Sequence, residues 1–268
     1  MQTTATDKAA RAALILAEVR RSGQPIEGLP PEVAPTTEDE AWAVQREVMR
    51  LLGLSVGGWK CAAPPGRPQS GAAMPASGFV RSPARQALPW GQQLGIEAEI
   101  AIRIAADLPG RPGRPYTRAD ILDAIAGVMP AIELVQSRYT NLRAVSNFEA
   151  MADGIAHFGF VYGEDVPGWR SLDLANLPVR LAFGEEVQVE QIGGNPSGDP
   201  LLPVVWLANR LPETGTHLRA GEIVTTGSCT GLIFANPGTP EPLRISATFE
   251  GLGAVSLDLA ASCPFGFG

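Results

Sequence analysis

The chain has 268 residues, of which 45% are hydrophobic and 18% charged, and carries a net charge of −7. That length and apolar fraction suit one large domain or a core with a small lobe, and the acidic balance argues against nucleic acid as a partner. No apolar run approaches membrane-spanning length, the N-terminus lacks a secretory pattern, and three cysteines (Cys61, Cys229 and Cys263) are too few for a disulfide framework, so a cytoplasmic protein is expected.

In chain order, residues 7–22 read as a helix with Thr6 or Asp7 as cap and Gly23 as stop. A second helix starts at Thr37, with Glu40 at capping-box spacing and Ala41, Val44, Val48 and Leu51 at helical intervals, and ends at Gly53. A strand over 56–62 follows, then an irregular loop over 63–71, short extended pieces over 78–88, and a strand over 96–104. After a Pro/Gly/Arg loop, Thr117 caps a helix over 118–127, and a strand carries Val128 to Val135. Residues 136–150 give no clear pattern. A strand over 157–163 and a hairpin over 177–192 come next. Asp199-Pro200 opens a helix over 200–211, ended by Pro212. A turn at 218–222 leads into a strand at 223–226, and a hairpin of 244–250 with 254–260 closes the chain. Many irregular strands and a few helices make this an α+β fold with a largely β core.

The segment Ile96-Glu97-Ala98-Glu99-Ile100 places two carboxylates on one face of a strand, where they repel unless a cation lies between them. A third carboxylate, Glu133, interrupts the apolar run Ala131-Ile132-Glu133-Leu134-Val135, a setting in which a glutamate is rarely left unpaired. Two same-face carboxylates and a third from a neighbouring strand suit a hard divalent cation; an amphipathic strand with exposed glutamates is the plainer alternative.

Of 21 basic residues only Lys8 and Lys60 are lysines. Lys8 lies in a polar helix. Lys60 ends the Gly-containing apolar segment Val56-Gly57-Gly58-Trp59-Lys60, and a desolvated lysine exchanges its proton where an arginine cannot. A proton-transfer role is favoured over a side chain merely snorkelling at a strand end.

Taken in order, Glu40 to Gln45, Gly58-Trp59-Lys60, Ile96 to Ile100, Pro130 to Val135 with Ser137-Arg138, Ala152-Asp153, Val204 to Asn209, Leu218 to Glu222 through Gly227-Ser228, and Gly251 to Gly253 form a specific set. By these the chain resembles the fumarylacetoacetate hydrolase superfamily, in its 2-keto-4-pentenoate hydratase and 4-oxalocrotonate decarboxylase branch. The resemblance implies a small N-terminal α/β lobe (residues 1–78) before a mixed β-roll core (residues 79–268). It implies Mg²⁺ or Mn²⁺ on Glu97, Glu99 and Glu133, with Lys60 beside the metal as catalytic acid/base. It also implies substrate contacts at Gln69, Asp153, Gly227 and Ser228, and a homo-oligomer that can associate with a pathway-neighbour enzyme. The substrate implied is a small 2-hydroxy-2,4-dienoate, hydrated to a 4-hydroxy-2-oxo acid in aromatic-compound catabolism. A decarboxylase of a 2-oxo-enedioate is the runner-up, and a non-catalytic assembly partner is the third reading.

Two departures stand out. Where this branch carries loop carboxylates, the chain reads Gly71-Ala72-Ala73-Met74-Pro75-Ala76, and Asp153 is followed by Gly154-Ile155-Ala156-His157-Phe158. Both point to a different or more apolar pocket. The C–C hydrolase arm of the superfamily uses a His–Glu lid pair and a lysine after the third acidic ligand, and this chain has no lysine beyond residue 60. His157 and His217 are expected to be structural or exposed rather than metal ligands, since hard cations prefer oxygen.

Overall fold

The computed structural model describes residues 5–89, 92–237 and 241–262; Cys263 lies outside them. In chain order the elements are α1 (Ala5–Ser22), α2 (Glu38–Leu51), β1 (Val56–Ala62), β2 (Ser70–Pro75), β3 (Phe79–Arg81), β4 (Ala84–Pro89), β5 (Leu94–Ile104), α3 (Arg118–Asp123), β6 (Ile125–Val135), α4 (Asn147–Ala152) and β7 (His157–Tyr162). They continue with β8 (Pro178–Phe183), β9 (Glu186–Ile192), α5 (Leu201–Arg210), β10 (Ile223–Ser228), β11 (Ile233–Ala235), β12 (Leu243–Phe249) and β13 (Gly253–Ser262). Among the described residues no helix is long and apolar enough to cross a membrane.

The helices form where local chemistry directs them. α1 stops at Gly23, whose φ of +66° lets its N–H turn back to the Val19 carbonyl. Thr37 caps α2 by accepting the Glu40 N–H at 3.2 Å. The capping box is only half made, because the Glu40 carboxylate turns to the Thr36 N–H at 2.7 Å and the Lys8 ammonium at 2.8 Å.

Two mixed sheets carry the fold. The larger runs β2-β1-β10-β5-β6-β7-β3, with β11 also paired to β5; the smaller runs β4-β13-β12-β8-β9. In the larger sheet β1 is parallel to β10 and β3 to β7, while β10, β5, β6 and β7 pair antiparallel in turn. Its terminal strands β2 and β3 are joined only by the 3₁₀ turn Ala76–Gly78, so the sheet curves until its edges approach. The inner surface holds a small apolar cluster of Met74, Ala101, Met129, Ala131, Phe160 and Ile223, packed by Phe79 and Tyr162. The outer surface, with Ile96, Ala98, Ile100, Ile102 and Ile132, merges into the main core, to which α1, α2, α5 and the smaller sheet contribute.

Several elements depart from the sequence reading. α3 ends at Asp123 rather than running to 127, because the Ala105 N–H pairs with the Ala124 carbonyl at 2.8 Å and Ile125 joins β6 opposite Ile104. Long-range sheet pairing overrides a local helical pattern there. The stretch from Ser70 to Pro75 is a strand hydrogen-bonded to β1, not the end of a loop. α4 lies in the unassigned region, with a complete capping box between Ser146 and Glu149. The boundary expected at residue 78 falls between β2 and β3, and β1 and β2 on its N-terminal side are members of the larger sheet.

Gly58 is required by close approach. A Cβ there would lie 2.1 Å from the Ile223 carbonyl oxygen and 2.9 Å from the Phe79 ring. The nearer contact is backbone of the strand partner, so β1 and β10 would have to shift apart to admit a side chain. Gly58→Ala is expected to destabilise the protein by about 3 kcal/mol through overpacking, measured by urea unfolding; unchanged stability would show that β1 and β10 separate freely.

Candidate active site

Strand register brings the acidic residues together. In the β5–β6 ladder Glu97 lies directly opposite Glu133 and Glu99 opposite Ala131, so all three glutamates project from the same sheet face. One carboxylate oxygen from each lies within 4.8 Å of the others. Glu133 is fully buried and Glu99 nearly so, while Glu97 is half-buried.

Lys60 reaches this face from β1. It pairs with Thr225 of β10, which in turn pairs with Ala101 of β5, so the lysine sits on the glutamate side. Its Nζ donates to Glu133 Oε1 at 2.6 Å and to the Ile155 carbonyl at 3.1 Å. That carbonyl is presented by an unusual turn: Gly154, Ile155 and Ala156 have φ of +74°, +53° and +57°. A β-branched residue in the left-handed region is strained, and such strain persists only where surrounding structure enforces it. Here the Ile155 N–H bonds the Ala150 carbonyl at 2.8 Å, and the Gln136 N–H bonds the Ala156 carbonyl at 2.8 Å. The turn also delivers His157, whose Nδ1 lies 2.9 Å from Glu133 Oε1.

Glu99 is held from β10. The strand bulges between Thr225 and Ser228, with Gly227 at a φ of +102°. The bulge aims the Gly227 N–H at Glu99 Oε2, 3.0 Å away, and Thr225 Oγ1 donates to the same oxygen. Asn195 fixes the bulge by donating to the Thr226 carbonyl at 3.0 Å and accepting the Ser197 N–H at 2.9 Å; Ser197 Oγ accepts the Ala63 N–H at 3.0 Å. The segment after Lys60 and the bulge beside Glu99 are thereby tied together.

Charge in this cluster is unbalanced. Burial pushes Glu97 up to about 7, reinforced by Glu133 and opposed by Lys60. Burial and the Glu133 and Glu97 charges push Glu99 up to about 8. Burial alone would lift Glu133 as well, but Lys60 and His157 bring it below the ordinary carboxylate range. Burial pulls the Lys60 ammonium down, and the three carboxylates more than offset this and raise it. One ammonium cannot neutralise three carboxylates. Glu133 Oε2 is buried without a hydrogen-bond partner, and all three residues offer the oxygen ligands a hard dication prefers. The donor set therefore fits a hard divalent cation.

The other expected site residues are dispersed. Gly227 and Ser228 border Glu99, with Ser228 Oγ donating to the Gly231 carbonyl at 3.1 Å. Gln69 is exposed in the loop before β2. Asp153, expected at the substrate, is instead a fully buried brace. Its carboxylate accepts Arg138 Nε and the Arg138 N–H at 3.2 Å, with Arg20 3.5 Å away. Arg138 also donates to the His157 carbonyl at 2.9 Å, so the pair pins the strained turn. The sequence reading assigned no site role to His157, Thr225 or Asn195; their partners are 24, 126 and 31 residues away, and only the fold connects them. Cys61 and Cys229 are buried thiols whose burial raises their pKa values, Cys229 to about 12, which does not suit a nucleophile.

The family described as fumarylacetoacetate (FAA) hydrolase C-terminal matches residues 60–258. The chain is 30% identical over 261 residues to 2-keto-4-pentenoate hydratase 2 of Dechloromonas aromatica, covering 91% of this chain and 95% of that protein. It is 34% identical over 161 residues to 4-oxalocrotonate decarboxylase of Pseudomonas putida, covering 60% and 58%. Among solved structures, 4-oxalocrotonate decarboxylase from Pseudomonas putida G7, complexed with magnesium and adipate, superposes with a TM-score of 0.81 at 25% identity, over 97% of this chain and all of that one.

Two outcomes follow from this geometry. Asp153→Ala strands the buried Arg138 guanidinium and is expected to cost about 3–5 kcal/mol in urea unfolding, whereas a loss under about 1 kcal/mol would remove the brace. With Glu97 and Glu99 shifted upward, the metal-free protein loses stability as pH rises from the ordinary carboxylate range through about 7 to 8. A dication offsets that repulsion, so the rise in melting temperature with Mg²⁺ should grow over the same pH window; a rise independent of pH would contradict ligation by these carboxylates.

Proposed function

Because the chain belongs to the fumarylacetoacetate hydrolase family, in its 2-keto-4-pentenoate hydratase and 4-oxalocrotonate decarboxylase branch, we propose that it is a divalent-metal-dependent hydratase of 2-hydroxy-2,4-dienoates. The observation that carries this reading is the cluster of Glu97, Glu99 and Glu133 with the Lys60 ammonium hydrogen-bonded to its most buried member. Full-length similarity to a 2-keto-4-pentenoate hydratase supports it.

A Mg²⁺ or Mn²⁺ ion held by the three glutamates would supply Lewis-acid stabilisation of negative charge on the substrate's C2 oxygen. The remaining work falls to the chain. Ketonisation of the dienol places a proton at C5; hydration then adds water at C4 and a proton at C3. Lys60 is the acid/base for these transfers, held in the ionised state at rest by the surrounding carboxylates. Gly227 and Ser228, beside Glu99, face the substrate, and Gln69 covers it from the loop before β2. The segment before β1 forms a covering lobe on the curved sheet that serves as the catalytic core. On this reading the enzyme works as a cytoplasmic homo-oligomer in aromatic-compound catabolism. Decarboxylation of a 2-oxo-enedioate is the second reading, favoured by the structural likeness to a 4-oxalocrotonate decarboxylase, and it uses the same C2 stabilisation.

The test is the ultraviolet absorbance of 2-hydroxypenta-2,4-dienoate with Mg²⁺ or Mn²⁺. Wild-type protein should remove it well above the spontaneous rate and form the 4-hydroxy-2-oxo acid. Lys60→Ala should slow this by about 10²- to 10⁴-fold, and Glu97→Ala should abolish the metal dependence. Wild-type protein that binds metal yet turns over only a 2-oxo-enedioate, with CO₂ released, would replace the hydratase by the decarboxylase. No turnover of either would leave the non-catalytic assembly role.

A further inference from the structure

Among the described residues, three buried side-chain atoms have no hydrogen-bond partner: Glu133 Oε2, His157 Nε2 and Arg20 Nε. The first belongs to the acidic cluster. The other two belong to side chains that line one small cavity of about 20 Å³, between α1, α2, the end of β2 and the strained turn before β7. Gln45 lines the same cavity.

We propose that a single water molecule fills this cavity and bridges Arg20, Gln45 and His157, and that His157, so held, is the positioning residue that presents Glu133 to a divalent cation. The inference rests on the metal-site reading above.

The hydrogen-bond inventory requires one more group. Glu133 Oε1 already accepts from Lys60 at 2.6 Å, and His157 Nδ1 lies 2.9 Å from the same oxygen. A carboxylate oxygen in that position only accepts, so Nδ1 carries the hydrogen, and in the neutral imidazole Nε2 is then a lone pair. Arg20 Nε is a donor and nothing else. Water satisfies both, accepting from Arg20 and donating to His157 Nε2. Its second hydrogen has an acceptor in Gln45 Oε1, which uses one lone pair on the Ala73 N–H at 3.2 Å. The rest of the lining is apolar, but a cavity of this size holds one water, and these three side chains supply the two to four partners it needs. A larger cavity of about 310 Å³ lies beside it and shares Gln45, Met49, Leu54 and Ala73 in its lining.

The consequence for the site is directional. With both Lys60 and His157 donating to Oε1, Glu133 has one oxygen occupied and Oε2 free of protein donors. The imidazole keeps the carboxylate plane in that orientation, and the water keeps the imidazole from turning over. Hydrogen-bonding partners that orient a metal ligand in this way change metal affinity about 10- to 100-fold.

The chain has only two histidines, so the test is spectroscopic as well as thermodynamic. In ¹⁵N imidazole spectra of the Mg²⁺-loaded and metal-free protein, with His217→Gln to leave a single ring, His157 should carry its proton on Nδ1 and an unprotonated, hydrogen-bonded Nε2. A proton on Nε2 would overturn the arrangement. A crystal structure should show one water peak between Arg20 and His157, and a dry cavity would overturn the bridge. Mn²⁺ titration followed by electron paramagnetic resonance should show His157→Gln and His157→Ala weakened about 10-fold or more. His157→Asn, whose amide can reach Oε1 from the Nδ1 position, should stay within about 3-fold of wild type. Wild-type affinity in His157→Gln and His157→Ala, with Glu133→Ala deficient, would sink the positioning role and leave the metal site standing. Wild-type affinity in Glu133→Ala would instead overturn the metal site, and the role of His157 with it.

Discussion

Everything in this molecule is arranged around an electrostatic debt: three carboxylates crowded on the inner face of a curved sheet. In water such groups repel weakly, but out of water the repulsion and the lost hydration grow together. The fold contains the problem by assigning each carboxylate different company. Glu133 receives Lys60 and His157, Glu99 receives Thr225 and the Gly227 N–H, and Glu97 is the member with the most exposure. Among the described residues the supply of positive charge at the cluster stops at one ammonium, which leaves it poised for a dication.

The supporting architecture reads as a set of devices that keep this arrangement from relaxing. The glutamates come from the centre of the larger sheet, where β5 and β6 pair over their whole length and cannot slip without moving every side chain to the opposite face. Lys60 comes from β1, pulled close to β10 by Gly58. Two irregularities supply what regular strands cannot: the bulge at Gly227 turns a backbone N–H toward Glu99, and the left-handed turn at 154–156 turns a carbonyl toward Lys60. The Arg138–Asp153 pair lies beneath the second of these and holds it shut.

Much of this was legible in the residues. A strand repeats every two positions, so Glu97 and Glu99 declare a shared face, and the scarcity of lysine singles out Lys60. What the chain could not show was register: nothing local says that Glu133 sits opposite Glu97 rather than two residues along. Resemblance to a family implies that the three glutamates share a metal, without saying which residues face each other. The helical pattern of Ile121, Leu122 and Ile125 predicts a longer α3 because it continues into residues that β5 claims for the sheet. α4 had a readable signal in Ser146 and Glu149, spaced as a capping box, but its six residues carry too little periodicity to stand out. Asp153 is expected at the substrate only through the family resemblance, and its partners Arg138 and Arg20 are visible only in three dimensions.

The carbonyl offered by Ile155 gives the lysine an orientation as well as a charge. An ammonium is a tripod, and two legs of Lys60 are planted, one on Glu133 and one on that carbonyl. Rotation about its last bond is then arrested, and the third N–H has a single heading, set by the backbone of a turn some 95 residues away in sequence. Lys60 behaves here as a fixed post rather than a swinging arm, so any proton it exchanges passes along one line, and a partner molecule has to come to that line to meet it.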